Sequence, residues 1–138
     1  ELLETDDQVL RSKVIQALGY FGPDAAKAVG AIVRSACRGT AVLKVPGQSA
    51  VIALYAIGRP AQRALVELYA SAKDGLERGR AAFFIEQVLC TEESVGDLSS
   101  FLCDQREEVR LLAANLLAAY KDEISIEKAV PALEKALD

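Results

Sequence analysis

The side chains able to do covalent chemistry are few: Cys37, Cys90 and Cys103, and a local group of carboxylates, Glu86, Glu92, Glu93 and Asp97. A cysteine nucleophile needs a neighbouring base to hold it as thiolate, whereas carboxylates alone support proton transfer or metal binding. The sequence contains no histidine. That removes the usual base, the usual metal ligand and every Ser-His or Cys-His pair. The cysteines form no C-x-x-C pair of the zinc or redox kind. The carboxylates have a simpler reason to cluster, since acids at the start of a helix face the positive end of its dipole. Gly75 and Gly79 flank a charged stretch without P-loop or dinucleotide spacing. The expectation is no catalytic residue, no cofactor and no metal, and an enzyme or lyase-type chaperone ranks last among the functions considered.

The elements that would carry these residues follow from the wider pattern. The 138 residues are 51% hydrophobic with a net charge of -4, enough to bury a continuous core in one domain covering residues 1–138. The longest apolar run, Ala50 to Ile57, is stopped by Gly58, far short of the roughly 18 residues of a membrane span. No basic start leads into an apolar stretch, and no methionine stands at position 1, as expected of a piece of a longer chain. An odd number of cysteines without a framework fits a reducing, cytoplasmic setting.

Four short segments superimpose: Ala28-Val29-Gly30-Ala31-Ile32, Ala64-Leu65-Val66-Glu67-Leu68, Ser94-Val95-Gly96-Asp97-Leu98 and Ala129-Val130-Pro131-Ala132-Leu133, spaced by 36, 30 and 35 residues. Each is preceded by an apolar stripe with intervals of three and four. The stripes are Val14, Ala17, Leu18 and Phe21; Ala50, Ala53, Leu54 and Ile57; Ala81, Phe84, Ile85 and Val88; and Val109, Leu112, Ala113, Leu116 and Leu117. Capping pairs Thr5 with Gln8, Asp74 with Glu77 and Asp104 with Glu107 open three of the first helices. Gly22-Pro23-Asp24 and Gly58-Arg59-Pro60 turn the chain within hairpins, and Thr91 and Ser125 cap later second helices. The prediction is four helical hairpins at residues 5–38, 48–72, 74–103 and 104–138, with a long connection over residues 39–47.

Over nearly its whole length the chain resembles the HEAT-repeat family, in particular the short repeats of the phycobilisome-lyase-like type, and the last hairpin matches best. Glu108-Val109-Arg110, Ala113-Ala114 and Leu116-Leu117, followed by Ala129-Val130-Pro131-Ala132-Leu133, are similar to that family's packing pattern. The resemblance implies an all-α, right-handed α-solenoid of about four antiparallel hairpins, with the second helices lining its concave surface. Packing motifs specify a fold and leave function open. The missing valine-arginine pair in repeat three departs from the pattern. Ala136-Leu137-Asp138 forms no polar cap, so repeats are expected to continue past residue 138. Cys37 and Cys103 fall at equivalent positions two repeats apart, too far to bridge, and all three cysteines are expected as mostly buried thiols.

Charge is segregated along the chain. Residues 8–66 carry eight basic side chains against Asp24 alone, a net of +7; the first seven residues carry -4, and residues 67–138 carry -7. Lys27, Arg34 and Arg38, spaced by seven and four, share one face of a continuous α-helix, and Arg63 falls at the repeat position equivalent to Lys27. Lys128 recurs there in the last repeat. The alternative for such a stripe is a solvated face that serves only solubility. The expected function is a non-catalytic protein-interaction scaffold whose Lys27, Arg34, Arg38 and Arg63 meet an acidic segment of another protein. A polyanion or nucleic-acid binder ranks second, because no aromatics interleave with the basic residues to stack bases. The segregation also permits self-association, basic front to acidic rear.

Overall fold

The computed structural model describes residues 2–38, 47–89 and 94–119, together with 127, 130, 131, 133 and 134. Among these residues the chain is all-helical, with no strand. Seven α-helices follow in order: α1 Gln8–Tyr20, α2 Val29–Ala36, α3 Gln48–Ile57, α4 Arg59–Ala70, α5 Gly75–Leu89, α6 Val95–Phe101 and α7 Glu107–Ala119. Two 3-10 segments, Leu2–Glu4 and Gly22–Ala28, precede α1 and α2. Glu127, Val130, Pro131, Leu133 and Glu134, in the expected last helix, are helical too. The helices group into two compact units, Glu1–Phe84 and Ile85–Asp138, divided within α5. The 39–46 connection, Cys90, the Thr91 and Ser125 caps, Glu92, Glu93 and Lys128 lie outside the described residues.

The turns sit where glycine and proline predict them. Gly22 (φ 57°) ends α1, and Gly58 (φ 75°, ψ -144°) ends α3 in a conformation that side-chain-bearing residues avoid. Pro60 then stands in the first turn of α4, where its missing N–H costs nothing.

Capping is shifted at α1. Asp7, not Thr5, is the cap: its Oδ1 accepts from the N–H of Val9 at 2.9 Å and of Leu10 at 3.0 Å, while Thr5 Oγ1 accepts from the Asp7 N–H. The carboxylate wins because it adjoins the first helical residue and carries a charge suited to the helix start. Before α5, Asp74 Oδ1 accepts from the Glu77 N–H at 2.8 Å, and Glu77 reaches back to the Lys73 N–H at 3.2 Å. Asp104 instead binds Arg106: Oδ1 takes its Nε at 2.9 Å and Oδ2 its Nη2 at 3.0 Å. That bidentate pair and the Arg106 backbone N–H hold the Asp104 carboxyl at about 2, below the usual carboxylate range.

In the first unit α1 packs on α3, α2 on α4, and the Gly22–Ala28 segment on both α3 and α4. Ala50, Ala53, Leu54 and Ile57 are fully buried, as their spacing predicts. Burying a leucine or isoleucine in this way contributes roughly 1.5–3 kcal/mol. The α1 face is rotated from the expected one. Ile15 and Gly19 are its buried residues, Val14 and Leu18 are half-buried, and Ala17 and Phe21 are exposed. The cause is Gly19: a Cβ built there would lie 2.9 Å from Ala53 Cα and 3.1 Å from Ala53 Cβ. Backbone meets backbone at that point, which draws the Ile15–Gly19 line of α1 deepest onto α3. A pattern that counts apolar side chains gives glycine no weight.

In the second unit α6 packs on α7. Its core takes Ile85 and Val88 from α5, Val95 and Leu98 from α6, and all five residues of the α7 stripe. The repeat positions Val29, Leu65 and Val95 are buried alike, at 1%, 0% and 2% exposure.

Candidate functional site

Lys27, Arg34, Arg38 and Arg63 all belong to the first unit and are all exposed. Their expected common face depended on one continuous α-helix through residues 27–38. The chain instead winds as 3-10 helix over Gly22–Ala28, with Pro23 in its first turn, before turning α-helical at Val29. With only the first one or two steps at about 120° and the rest at about 100°, the seven residues from Lys27 to Arg34 still sum to within about 20° of two full turns, so the change of winding leaves the two on about the same side of the segment. Arg63 lies on α4, the helix packed against α2.

Arg34 and Arg38 are brought together at a cleft of about 670 Å³. One wall is Leu2, Leu3 and Glu4; α1 supplies Val14 and Leu18; Ala28, Ala31 and Ser35 form the remainder with the two arginines. Arg34 extends along its own helix, its Nη1 3.3 Å from where a Cβ on Gly30 would stand, and makes no ion pair with any described residue. Arg38 follows the last turn of α2 and is engaged: its Nη1 donates to the Glu4 carbonyl, and its Nη2 lies 3.5 Å from Asp6 Oδ1. Arg11 helps hold the same segment by donating to the Thr5 carbonyl at 2.6 Å. The Asp6 side chain is 98% exposed, and such an ion pair is worth about 0–1 kcal/mol.

Ser35 is buried at 6% exposure, and its Oγ has no hydrogen-bond partner among the described residues. An unsatisfied buried hydroxyl costs about 1–3 kcal/mol. Sequence reading overlooked Ser35, Leu2, Leu3 and the acids that meet Arg38. The available signal was the proximity of a -4 terminal stretch to a +7 one.

The cysteines divide. Cys37, which caps α2, is buried, and that burial pushes its thiol up, with Arg80 opposing more weakly. Cys103 is exposed, contrary to expectation. Because α6 ends at Phe101, Leu102 occupies the buried capping position that Cys37 holds after α2, and Cys103 falls one residue outside it. Of the carboxylate group, Glu86 is exposed and Asp97 half-buried.

Comparison with protein-family models, curated proteins and solved structures finds no match. Among the described residues no helix is long and apolar enough to cross a membrane.

Proposed function

We propose that this chain is a right-handed HEAT-like α-solenoid of about four hairpins that acts as a non-catalytic interaction scaffold, holding an acidic segment of another protein on Lys27, Arg34, Arg38 and Arg63. The like-with-like packing of the first unit, α1 on α3 and α2 on α4, supports the stacked-hairpin reading. The observation that carries the functional part is the pair Arg34 and Arg38 at the rim of an apolar-walled cleft, in a stretch with one acid against eight basic residues. Opposite charge on a partner would both steer its approach and select it.

The test is titration of fluorescent polyglutamate against the chain and against Lys27→Glu/Arg34→Glu/Arg63→Glu. These three side chains are exposed and form no ion pair with a described residue, so helicity and melting should hold. Arg38 is left intact because it pins the amino-terminal segment. The expected result is saturable binding lost in this triple variant and retained in Lys13→Glu/Lys73→Glu/Arg78→Glu, which has the same net charge. Equal binding by both variants would refute the assigned surface. Preference for duplex DNA over polyglutamate, with affinity falling steeply in salt, would move the chain to the nucleic-acid class.

A further inference from the structure

We infer that the cleft between α1 and α2 takes a leucine-bearing acidic peptide of a partner protein, and that residues 2–6 of this chain are an internal, displaceable version of that ligand. The inference rests on the proposed basic surface and adds its chemistry. A carboxylate alone would need only the arginines. Here the arginines border open space of about 670 Å³ whose walls include Val14, Leu18, Ala28 and Ala31. Such a site rewards an apolar side chain next to an acid.

The chain's own segment displays that combination. Leu2 and Leu3 stand in the wall of the cleft while Arg38 binds the Glu4 carbonyl and faces the Asp6 carboxylate. The hold uses parts that a partner can replace: the Asp6 side chain is almost wholly in water, so its ion pair adds little, and the bonds from Arg38 and Arg11 run to the carbonyls of Glu4 and Thr5, groups that any peptide backbone offers. Arg34, at the same rim, makes no ion pair among the described residues and is available to a second carboxylate. Ser35 adds a buried hydroxyl in the wall with no partner among the described residues. A peptide carrying leucines and at least two acids therefore satisfies more of the cleft than the internal segment does. Because the internal segment is tethered, it competes at high effective concentration and sets a threshold for the partner.

Two labelled peptides test this by fluorescence anisotropy: acetyl-Leu-Leu-Glu-Thr-Asp-Asp, copying residues 2–7, and its counterpart with both leucines replaced by serine. In Leu3→Ser/Asp6→Asn, which loosens the internal segment, the leucine peptide should bind about tenfold tighter than in the unaltered chain. It should also bind at least about tenfold tighter than the serine peptide, the difference expected from desolvating apolar side chains. Arg34→Gln should weaken both peptides, and Ala31→Phe, which fills the cleft, should erase the leucine preference. Should Ala31→Phe fail to fold, the comparison of the two peptides on the loosened chain decides alone. Equal binding of the two peptides overturns the inference and leaves the basic surface standing. No binding of either peptide also overturns it, and polyglutamate then decides the basic surface separately.

Discussion

Replacing Gly19 by alanine and Gly79 by alanine is the same chemical change in two helices, and the structure gives the two opposite signs. In an open helix the change reduces the freedom of the unfolded chain and improves helix propensity, a gain of about 0.5–1 kcal/mol. At Gly79, inside α5, a new Cβ meets nothing within 4 Å, so the full gain should appear. At Gly19 the new Cβ would stand 2.9 Å from Ala53 Cα and 3.1 Å from its Cβ. Carbon atoms prefer about 3.5–4.0 Å, so α1 and α3 must part by several tenths of an ångström. The obstacle is backbone and cannot rotate away. Overpacking of this kind costs about 1–3 kcal/mol, which exceeds the propensity gain and leaves a net loss of up to about 2 kcal/mol. Gly19→Val should lose more, because a branched side chain adds volume and lowers helix propensity. Urea denaturation followed by far-UV circular dichroism reads both signs, with Gly79→Ala raising the midpoint and Gly19→Ala lowering it. A Gly19→Ala chain as stable as the unaltered one would refute the close approach of α1 to α3, and with it the explanation for the rotated α1 face.

Peptide mapping after brief iodoacetamide treatment should find Cys103 modified and Cys37 protected until denaturant is added, because Cys37 is buried with its thiol pushed up; rapid modification of Cys37 would contradict its burial. The Asp104 carboxyl should titrate near 2 by NMR and move upward in Arg106→Gln. Since its folded value is depressed, its contribution to stability is present above the usual carboxylate range and is lost as pH falls toward 2; solvent screening keeps it below about 1 kcal/mol. Asp7→Ala should cost about 1 kcal/mol through loss of the α1 cap, while Thr5→Ala should cost less; the reverse order in thermal melts would restore Thr5 as the cap. Leu54→Ala, at 0% exposure, should cost about 2–5 kcal/mol, against under about 0.5 kcal/mol for Ile52→Ala at 57% exposure.

The parts legible in the sequence are those set by short-range physics. The stripes on α3, α5 and α7 are visible because helical periodicity puts every third or fourth side chain on one face. The turns at Gly22 and Gly58 are visible because only glycine enters those backbone regions readily. The segregation of charge is a property of the residue order itself. Tertiary structure decided the rest. Gly19 has no side chain to announce that α1 presses hardest there, and its contact lies on another helix. The residues after Pro23 wind as a 3-10 helix before α2 begins, a change of winding that apolar periodicity does not announce. Arg38 found its partners in Glu4 and Asp6, 34 and 32 positions away, a pairing that only the folded chain brings within reach. Composition and spacing therefore determined which segments are helices and where most of their apolar faces lie, whereas packing of α1 and α2 against their neighbours decided which basic residues border a cleft.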